Sequence, residues 1–423
     1  MSYCAVDFGT SNSAVAVPTD AGMRLARVEN DHTTLPTAVF FNVDDLSRSF
    51  GRRAIAAYVD GFDGRLMRSI KSILGSPLAE SVTDIGNGTP VSYVDVVALF
   101  LAHLKRHAER EAGAPLERAV LGRPVFFVDD NPRADALAQR QLEDAARSVG
   151  FRDVHFQYEP IAAAFDYESR LTDEALVLVA DIGGGTSDFS LVRVGPARVA
   201  RQDRKEDVLA HYGAHVAGTD FDRRIELAAI LPAFGYRSID TQGREMPNRI
   251  YFDLATWHLI NTTYAPRRIA DLRLMRHLYR DEKHHARLMR VLTQRLGHLL
   301  AARAEAAKIA VAGGGETVIE LDQVEQGLEF AFDETRVVEA GAAECSQIVA
   351  AARETVRLAG IAPDAVTAVF FTGGSTGLSF LADAIAAPFP RARRVFGDRL
   401  ASVATGLGIH AERLFASALP APR

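Results

Sequence analysis

Two short segments carry the residue types that hold phosphate. Asp7-Phe8-Gly9-Thr10-Ser11-Asn12 follows the apolar run YCAV, and Asp181-Ile182-Gly183-Gly184-Gly185-Thr186-Ser187-Asp188 follows ALVLVA. Glycine admits positive φ and lets the backbone approach a ligand closely. Successive N–H groups and Thr or Ser hydroxyls can then hold phosphate oxygens. An aspartate at the strand's end can bind a hydrated Mg²⁺ through water, because that ion keeps several waters and takes only one or two carboxylates. Either turn alone is equally well a tight hairpin. Together, each after a buried strand, they describe a clamp around a triphosphate and its metal ion.

A third segment, Gly373-Gly374-Ser375, follows the strand AVFFT and opens a helix, whose N-terminus favours anionic or polar ligand atoms. With Thr376-Gly377 it also spells G-x-S-x-G, the hydrolase elbow. That reading is set aside. An acid and then a histidine should follow in order, and only His410 follows, inside a helix.

Elements must bring these turns together. Residues 3–17 read as a hairpin and 37–41 as a strand. Residues 76–90 read as a loop, 94–112 and 132–149 as helices, and VHFQYEP-IAAAFDYESRL as strand, turn and helix. Residues 175–194 repeat the opening pattern of apolar strand, Asp, glycine turn and departing strand, an internal repeat that implies two similar lobes facing one another. Residues 219–231 read as helix, 269–312 as a long Arg-rich helical stretch, 333–359 as one long helix, and the chain closes on the helix SVATGLGIHAERLF. Alternating strands and helices predict an α/β protein.

Composition narrows the classes. The chain has 423 residues, 48% apolar and 24% charged, with a net charge of −6. This excludes a disordered chain, a collagen-like fibre and a disulfide scaffold, and allows about two to four domains. No strong field draws it to nucleic acid or anionic lipid. Arg-rich 266–303 interleaves acids and leucines, so it reads as a packed amphipathic helix, and His284-His285 as a solvated helix face. Cys4 and Cys345 are too few and too far apart for a zinc cluster. MSYCAVDFGTSNS is no signal peptide, no apolar run is long enough to span a membrane, and we expect a cytoplasmic protein. Only five lysines are present (Lys71, Lys105, Lys205, Lys283, Lys308), so chemistry that needs one has five candidates.

With these motifs in order, the sequence resembles the ATPase domain of the seventy-kilodalton heat-shock chaperones, in the actin-like and sugar-kinase-like superfamily. VDFGTSNS looks like its first phosphate loop, RPVFF and YEPIAAAFDYE its first connecting region, and DIGGGTSD its second phosphate loop. AGTDFDRRI resembles its Gly-Gly-x-Asp-Phe-Asp segment, RAEAAKIA its adenosine-facing helix, and FTGGSTGLSFL its second adenosine motif. The resemblance implies a two-lobed actin-like ATPase fold, duplicated ribonuclease-H-like core sheets with a nucleotide cleft between them. It implies a first lobe over 1–171 with an outer subdomain at 39–91, and a second over 172–394 with an outer subdomain at 216–332. An insertion lies near 236–268, and residues 395–423 return a helix to the first lobe.

It also implies roles. Asp7 and Asp181 would hold the Mg²⁺ shell, and Glu159 would bind metal-bound water. Gly9, Thr10, Ser11, Asn12 and Gly183, Gly184, Gly185 would meet the phosphates of ATP or ADP, with Gly218 beside them. Thr186 would position the attacking water or the γ-phosphate. Glu305 and Lys308 would reach the ribose hydroxyls, and Gly373, Gly374 and Ser375 would line the nucleoside pocket. Asp7, Thr10, Glu159, Asp181 and Thr186 would carry the catalysis.

Three departures follow. The family's lysine near the γ-phosphate aligns with Ile55, which predicts weak hydrolysis unless Arg52, Arg53 or Lys71 substitutes. Ile309 and Ala312 stand where the family has an adenine-stacking arginine and a serine. The peptide-binding domain, its lid and the coupling linker are expected to be absent. The expectation is thus a weakly hydrolysing, nucleotide-dependent conformational switch, with nucleotide and an unknown protein as partners and neither nucleic acid nor membrane. The alternatives are a nucleotide-binding module with little or no hydrolysis, and a small-molecule kinase or filament-forming actin-like protein.

Overall fold

The computed structural model describes residues 3–85, 88, 90–398 and 401–416. The chain opens with β1 (Tyr3–Phe8), β2 (Asn12–Thr19), β3 (Gly22–Leu25) and β4 (Thr34–Pro36). Next come β5 (Ala38–Asn42), β6 (Arg48–Phe50), α1 (Gly51–Val59), β7 (Gly64–Arg68), β8 (Val82–Asp84) and β9 (Pro90–Ser92). Then follow α2 (Tyr93–Ala112), β10 (Arg118–Arg123), α3 (Pro132–Ser148), β11 (Asp153–Tyr158) and α4 (Glu159–Glu168). The second half holds β12 (Ala175–Ile182), β13 (Ser187–Val194), β14 (Val208–Ala214) and α5 (Gly218–Ile225). It continues through α6 (Arg249–Leu254), α7 (Pro266–Leu274), α8 (Glu282–Thr293), α9 (Gly297–Ala310), β15 (Glu316–Glu320) and β16 (Glu329–Asp333). Last come α10 (Glu334–Ala340), α11 (Ala342–Leu358), β17 (Ala368–Thr372), α12 (Ser379–Ala386), β18 (Arg393–Phe396) and α13 (Ser402–Ala416).

Two sheets organise the molecule. One runs β11-β10-β1-β2-β3, with β4 added on β2, and the other runs β14-β13-β12-β17-β18. β1 and β12 each pair antiparallel with the next strand of a meander and parallel with a strand brought back by a helical crossover. Taken in turn, β3-β2-β1-β10-β11 matches β14-β13-β12-β17-β18 strand for strand and direction for direction. The repeat signalled by two short turns therefore extends over whole sheets.

Alternation places the cores. On β1, Cys4, Val6 and Phe8 face one cluster while Tyr3 and Ala5 face another. On β12, Leu178, Ala180 and Ile182 face their own outer helices, and Val177 and Val179 join the cluster of Tyr3 and Ala5. Because side chains alternate along a strand, each sheet buries one face privately and shares the other. The shared core is filled by α4 and α13. Gly406 permits their crossing, since a Cβ there would lie 1.8 Å from the Ala162 carbonyl oxygen. α13 packs on α4 and on β1, β2, β3 and β10. Outside the sheets, β5, β6, β7 and α1 enclose a small cluster of Ala38, Phe40 and Ala54. A larger separate cluster runs from Ile225 to Val337.

Several sequence expectations are corrected. Residues 269–312 are not one helix. Asp281 caps α8, its side chain accepting from the Lys283 N–H, and Arg295 takes φ +54° just before α9. Residues 333–359 break at Gly341, where a Cβ would meet the Phe221 ring at 2.5 Å. The loop at 76–90 includes β8, which pairs with β9. His285 is not solvated: it is buried, with Nε2 3.1 Å from the Leu272 carbonyl. Among the described residues no helix is long and apolar enough to cross a membrane.

Candidate active site

A cleft of about 760 Å³ lies between the two sheets. Gly9, Thr10, Ser11 and Asn12 line it from the first half; Gly183, Gly184 and Thr186 line it from the second. The first turn requires glycine, because a Cβ on Gly9 would stand 2.1 Å from the Asn12 carbonyl oxygen. Thr37 braces it, its Oγ1 donating to the Gly9 carbonyl (2.7 Å) and its N–H to the Ser11 carbonyl (2.9 Å). In the second turn the carbonyls, which would repel phosphate, are tied back. Gly183 O accepts from Gly218 N–H (3.2 Å) and Ser375 Oγ (2.8 Å), and Gly184 O from Thr219 N–H and Oγ1 (both 2.8 Å). The two turns face each other closely: a Cβ on Gly184 would lie 3.2 Å from Ser11 Oγ. Gly185 is the exception among the expected phosphate glycines. It sits at the outer tip, with open space around its α-carbon.

Below the turns the cleft is acidic. Asp7 and Asp181 stand near the ends of equivalent strands, and Glu159 opens α4 beside Gly122 of β10, where a Cβ would crowd its Cγ at 3.1 Å. Burial, and then the Glu159 charge, push the Asp7 carboxyl up to about 8. Burial, then Asp188 and Glu159, push Asp181 up to about 7. The opposing cation is Lys71, whose Nζ lies 2.5 Å from Glu159 Oε1 with its side chain only 7% exposed.

This corrects the expectation placed on Ile55. Ile55 packs against the Ala38–Phe40–Ala54 cluster on α1, away from the cleft, whereas Lys71 lines it. Lys71 is delivered by a tight turn (Ile70–Ile73) after Ser69, which takes φ +54°. Among the described residues no three His, Cys, Asp or Glu side chains form a ready-made metal cage. The all-oxygen set of Asp7, Asp181, Glu159 and neighbouring hydroxyls instead fits a hard ion that keeps most of its waters. Two carboxylates made reluctant to ionise by burial and by the neighbouring charges of Glu159 and Asp188 leave room for that positive charge.

The far end is built from α5, α9 and the turn after β17. Gly373 takes φ +88°, and a Cβ there would strike the Ile182 carbonyl oxygen at 2.4 Å. Gly218 passes so close to Ser375 that a Cβ would sit 2.2 Å from its Oγ. Glu305, Lys308, Gly373, Gly374 and Ser375 all line the cleft. Glu305 and Lys308 are not partners of one another. Lys308 is buried and points inward, 2.7 Å from Asp222 and donating to the Gly218 carbonyl at 3.1 Å. Burial raises the Asp222 carboxyl to about 6 against that ammonium's pull. Ile309, 63% exposed, and Ala312 form an apolar wall.

Sequence reasoning left several contributors unassigned. Asp188, Ser190 and His211 line the cleft from β13 and β14, and Phe126 from the loop after β10. Asp188 accepts from Thr186 Oγ1 at 2.9 Å. The signal was present in the strand period, since Asp188 and Ser190 alternate onto one face. A further contact joins the outer parts across the cleft. Trp257, in the 236–268 segment, stacks on Tyr58 of α1 with centroids 5.2 Å apart, and the Arg68 guanidinium lies 4.4 Å over its ring.

A profile of the family described as Hsp70 protein matches residues 4–246. The chain is 30% identical over 297 residues to a "Chaperone protein HscA homolog" of Laribacter hongkongensis, covering 64% of the chain and 45% of that relative. It is 25% identical over 431 residues to an HscA homolog of Histophilus somni, 97% of the chain and 57% of the relative. It is 31% identical over 226 residues to "Chaperone protein DnaK" of Thermosipho melanesiensis, 52% of the chain and 34% of the relative. The chain thus spans about half the length of the HscA relatives it matches. With more than half of its residues under the family profile, and two sheets of one topology closing on a glycine-turn cleft, the chain belongs to the Hsp70 protein family and carries that family's actin-like ATPase fold.

Proposed function

We propose that the chain binds ATP and ADP with Mg²⁺ in the interlobe cleft, hydrolyses ATP, and works as a nucleotide-dependent conformational switch. The observation that carries this reading is the approach of two glycine turns, one per sheet, over a shared acidic floor. Gly9, Thr10, Ser11 and Asn12 on one side and Gly183 and Gly184 on the other would hold the phosphates through N–H and hydroxyl donors. Asp7, Asp181 and Glu159 would hold Mg²⁺ through its waters; when bound, the ion neutralises charge on the phosphate oxygens.

Thr186 donates its hydroxyl proton to Asp188, which leaves its lone pairs free to accept from an attacking water. Lys71 brings fixed positive charge to the phosphate end, where charge stabilisation is the main catalytic lever. With Lys71 rather than Ile55 facing the cleft, hydrolysis is favoured over binding alone. Gly218, Gly373, Gly374, Ser375, Glu305 and Lys308 would enclose the nucleoside, with Ile309 against a base face.

The test is single-turnover ATP hydrolysis by the wild type, Asp181→Asn and Thr186→Ala, with nucleotide affinity measured with and without Mg²⁺. The proposal expects Mg²⁺-dependent binding and a large loss of turnover in both variants. Unchanged binding and turnover in both would end it.

A further inference from the structure

The second sheet presents two rows of side chains to the cleft, and one of them has no place in the scheme above. Register pairs Asp181 with Asp188 and Asp188 with Gly213 in one row, and Val179 with Ser190 and Ser190 with His211 in the next. The His211 ring therefore lies diagonal to Asp188 across the β13–β14 pair. Gly213 is what lets them meet, because a Cβ there would stand 2.9 Å from Asp188 Oδ1 and 3.9 Å from His211 Nε2. The His211 side chain is only 7% exposed, with Nδ1 3.0 Å from Ser190 Oγ and Nε2 3.9 Å from Asp188 Oδ1. Thr186 Oγ1 holds the other oxygen of the same carboxylate at 2.9 Å. Thr186–Asp188–His211–Ser190 thus form a file from the phosphate turn down the sheet, hydrogen-bonded at each end, with Asp188 and His211 approaching to 3.9 Å in the middle.

We propose that His211 is the proton acceptor for ATP hydrolysis, fed through Asp188 from the water that Thr186 positions. The proposal rests on the nucleotide reading of the cleft. As the water oxygen bonds to the γ-phosphorus, the bond from phosphorus to the β,γ-bridging oxygen breaks, and its electron pair stays on ADP. The proton released by the water passes to the Asp188 carboxylate and on to Nε2. Ser190 accepts from Nδ1–H, so Nε2 keeps its lone pair toward Asp188. The imidazolium later returns the proton to solvent.

The charged groups facing the ring are Asp188 on β13, Asp129 on the loop after β10 and Glu159 at the start of α4. Phe126 packs edge-on at 6.2 Å. Burial holds the ring neutral against those three carboxylates, which is the state a base requires. Because Phe126, Asp129 and Glu159 belong to the first half, the acceptor is assembled only when the two halves close.

The experiment measures single-turnover ATP hydrolysis and ATP affinity across pH 5.5–9 for wild type, His211→Gln and Ser190→Ala. A general base is worth roughly 10²–10⁴-fold. His211→Gln should therefore lose about 10²-fold or more in rate and lose the rise with pH that the wild type shows through the imidazole's titration, with affinity changed less than about threefold. Ser190→Ala should keep the pH dependence and lose less. A purely structural His211 would alter affinity or thermal stability and leave the pH profile intact, which overturns the proposal. Should His211→Gln fail to fold, ¹⁵N imidazole spectra of wild type decide. A ring that does not titrate between pH 5 and 8, or does not respond to ADP with a phosphate mimic, rules it out. Nucleotide binding without turnover in the wild type would also overturn the proposal while leaving the cleft reading intact; loss of binding would remove both.

Discussion

Lys71→Met tests which residue supplies cationic charge to the phosphates. The Lys71 ammonium lies 2.5 Å from Glu159 Oε1, and its charge also acts on Asp7 and Asp181. Two consequences follow from removing it. Catalysis loses one fixed positive group at the phosphate end, which by comparison with single oxyanion-hole donors costs about 10²–10³-fold in rate, or about 2.7–4 kcal/mol of barrier. The three carboxylates lose their nearest monovalent counter-charge, so the site becomes more attractive to a divalent ion. The variant should therefore hydrolyse slowly while needing no more Mg²⁺ than wild type for nucleotide binding. Single-turnover assays on prebound ATP, with Mg²⁺ titrations of nucleotide affinity, read both. Ile55→Lys is the companion: its side chain belongs to the small α1 cluster, so it should cost stability and restore nothing in Lys71→Met. A Lys71→Met protein with wild-type turnover, or rescue by Ile55→Lys, refutes the reasoning.

Other outcomes are as definite. Tyr58→Ala removes a stacked aromatic from Trp257, worth about 0.5–1.5 kcal/mol, so nucleotide release should quicken by about 2–12-fold. The emission of the sole tryptophan should shift toward that of exposed indole in the same variant, by stopped-flow and steady-state fluorescence. His103, His298 and His410 are each held down to about 4, chiefly by burial, against an ordinary 6.5. The unfolded chain takes up those protons below about 6.5 and the folded one resists, so their contribution is intact above that pH and drains away toward about 4. Urea unfolding of His410→Gln should fall less steeply with pH over that window than wild type. Gly406→Ala should destabilise by about 3 kcal/mol or fail to fold, since its Cβ would overlap the Ala162 carbonyl, and thermal unfolding measures it.

The phosphate turns could be read in advance because their chemistry is local. Glycines that must bring backbone to ligand and strands that end in Asp leave the same trace wherever they occur. The repeat was visible for a related reason, although only two short segments carried it while the structure extends it over five strands per sheet. Lys71 was legible only as one of three possible substitutes for Ile55. Its reach into the cleft depends on a left-handed Ser69 and a tight turn, and no periodic pattern encodes that direction. The breaks in the long helical stretches are hidden from the sequence for a similar reason. Gly341 breaks one of them through its contact with Phe221, a residue 120 positions earlier in sequence. Likewise Lys308 has a ready partner one turn away in Glu305, yet burial turns it toward Asp222 on another helix. The diagonal of His211 and Asp188 needed the strand register, which the sequence alone leaves open.

The helix that fills the central core has a consequence for synthesis. α13 supplies Val403, Leu407, Ala411 and Phe415 to the same cluster as Tyr3, Ala5 and Val120. A ribosome finishes the first sheet at Tyr158, but α13, which with α4 covers its inner face, begins at Ser402, about 240 residues later. At about 5–20 residues per second that interval is on the order of ten to fifty seconds. During it the nascent chain carries an uncovered apolar surface, so a protein from a chaperone family would itself have to be guarded while it is being made.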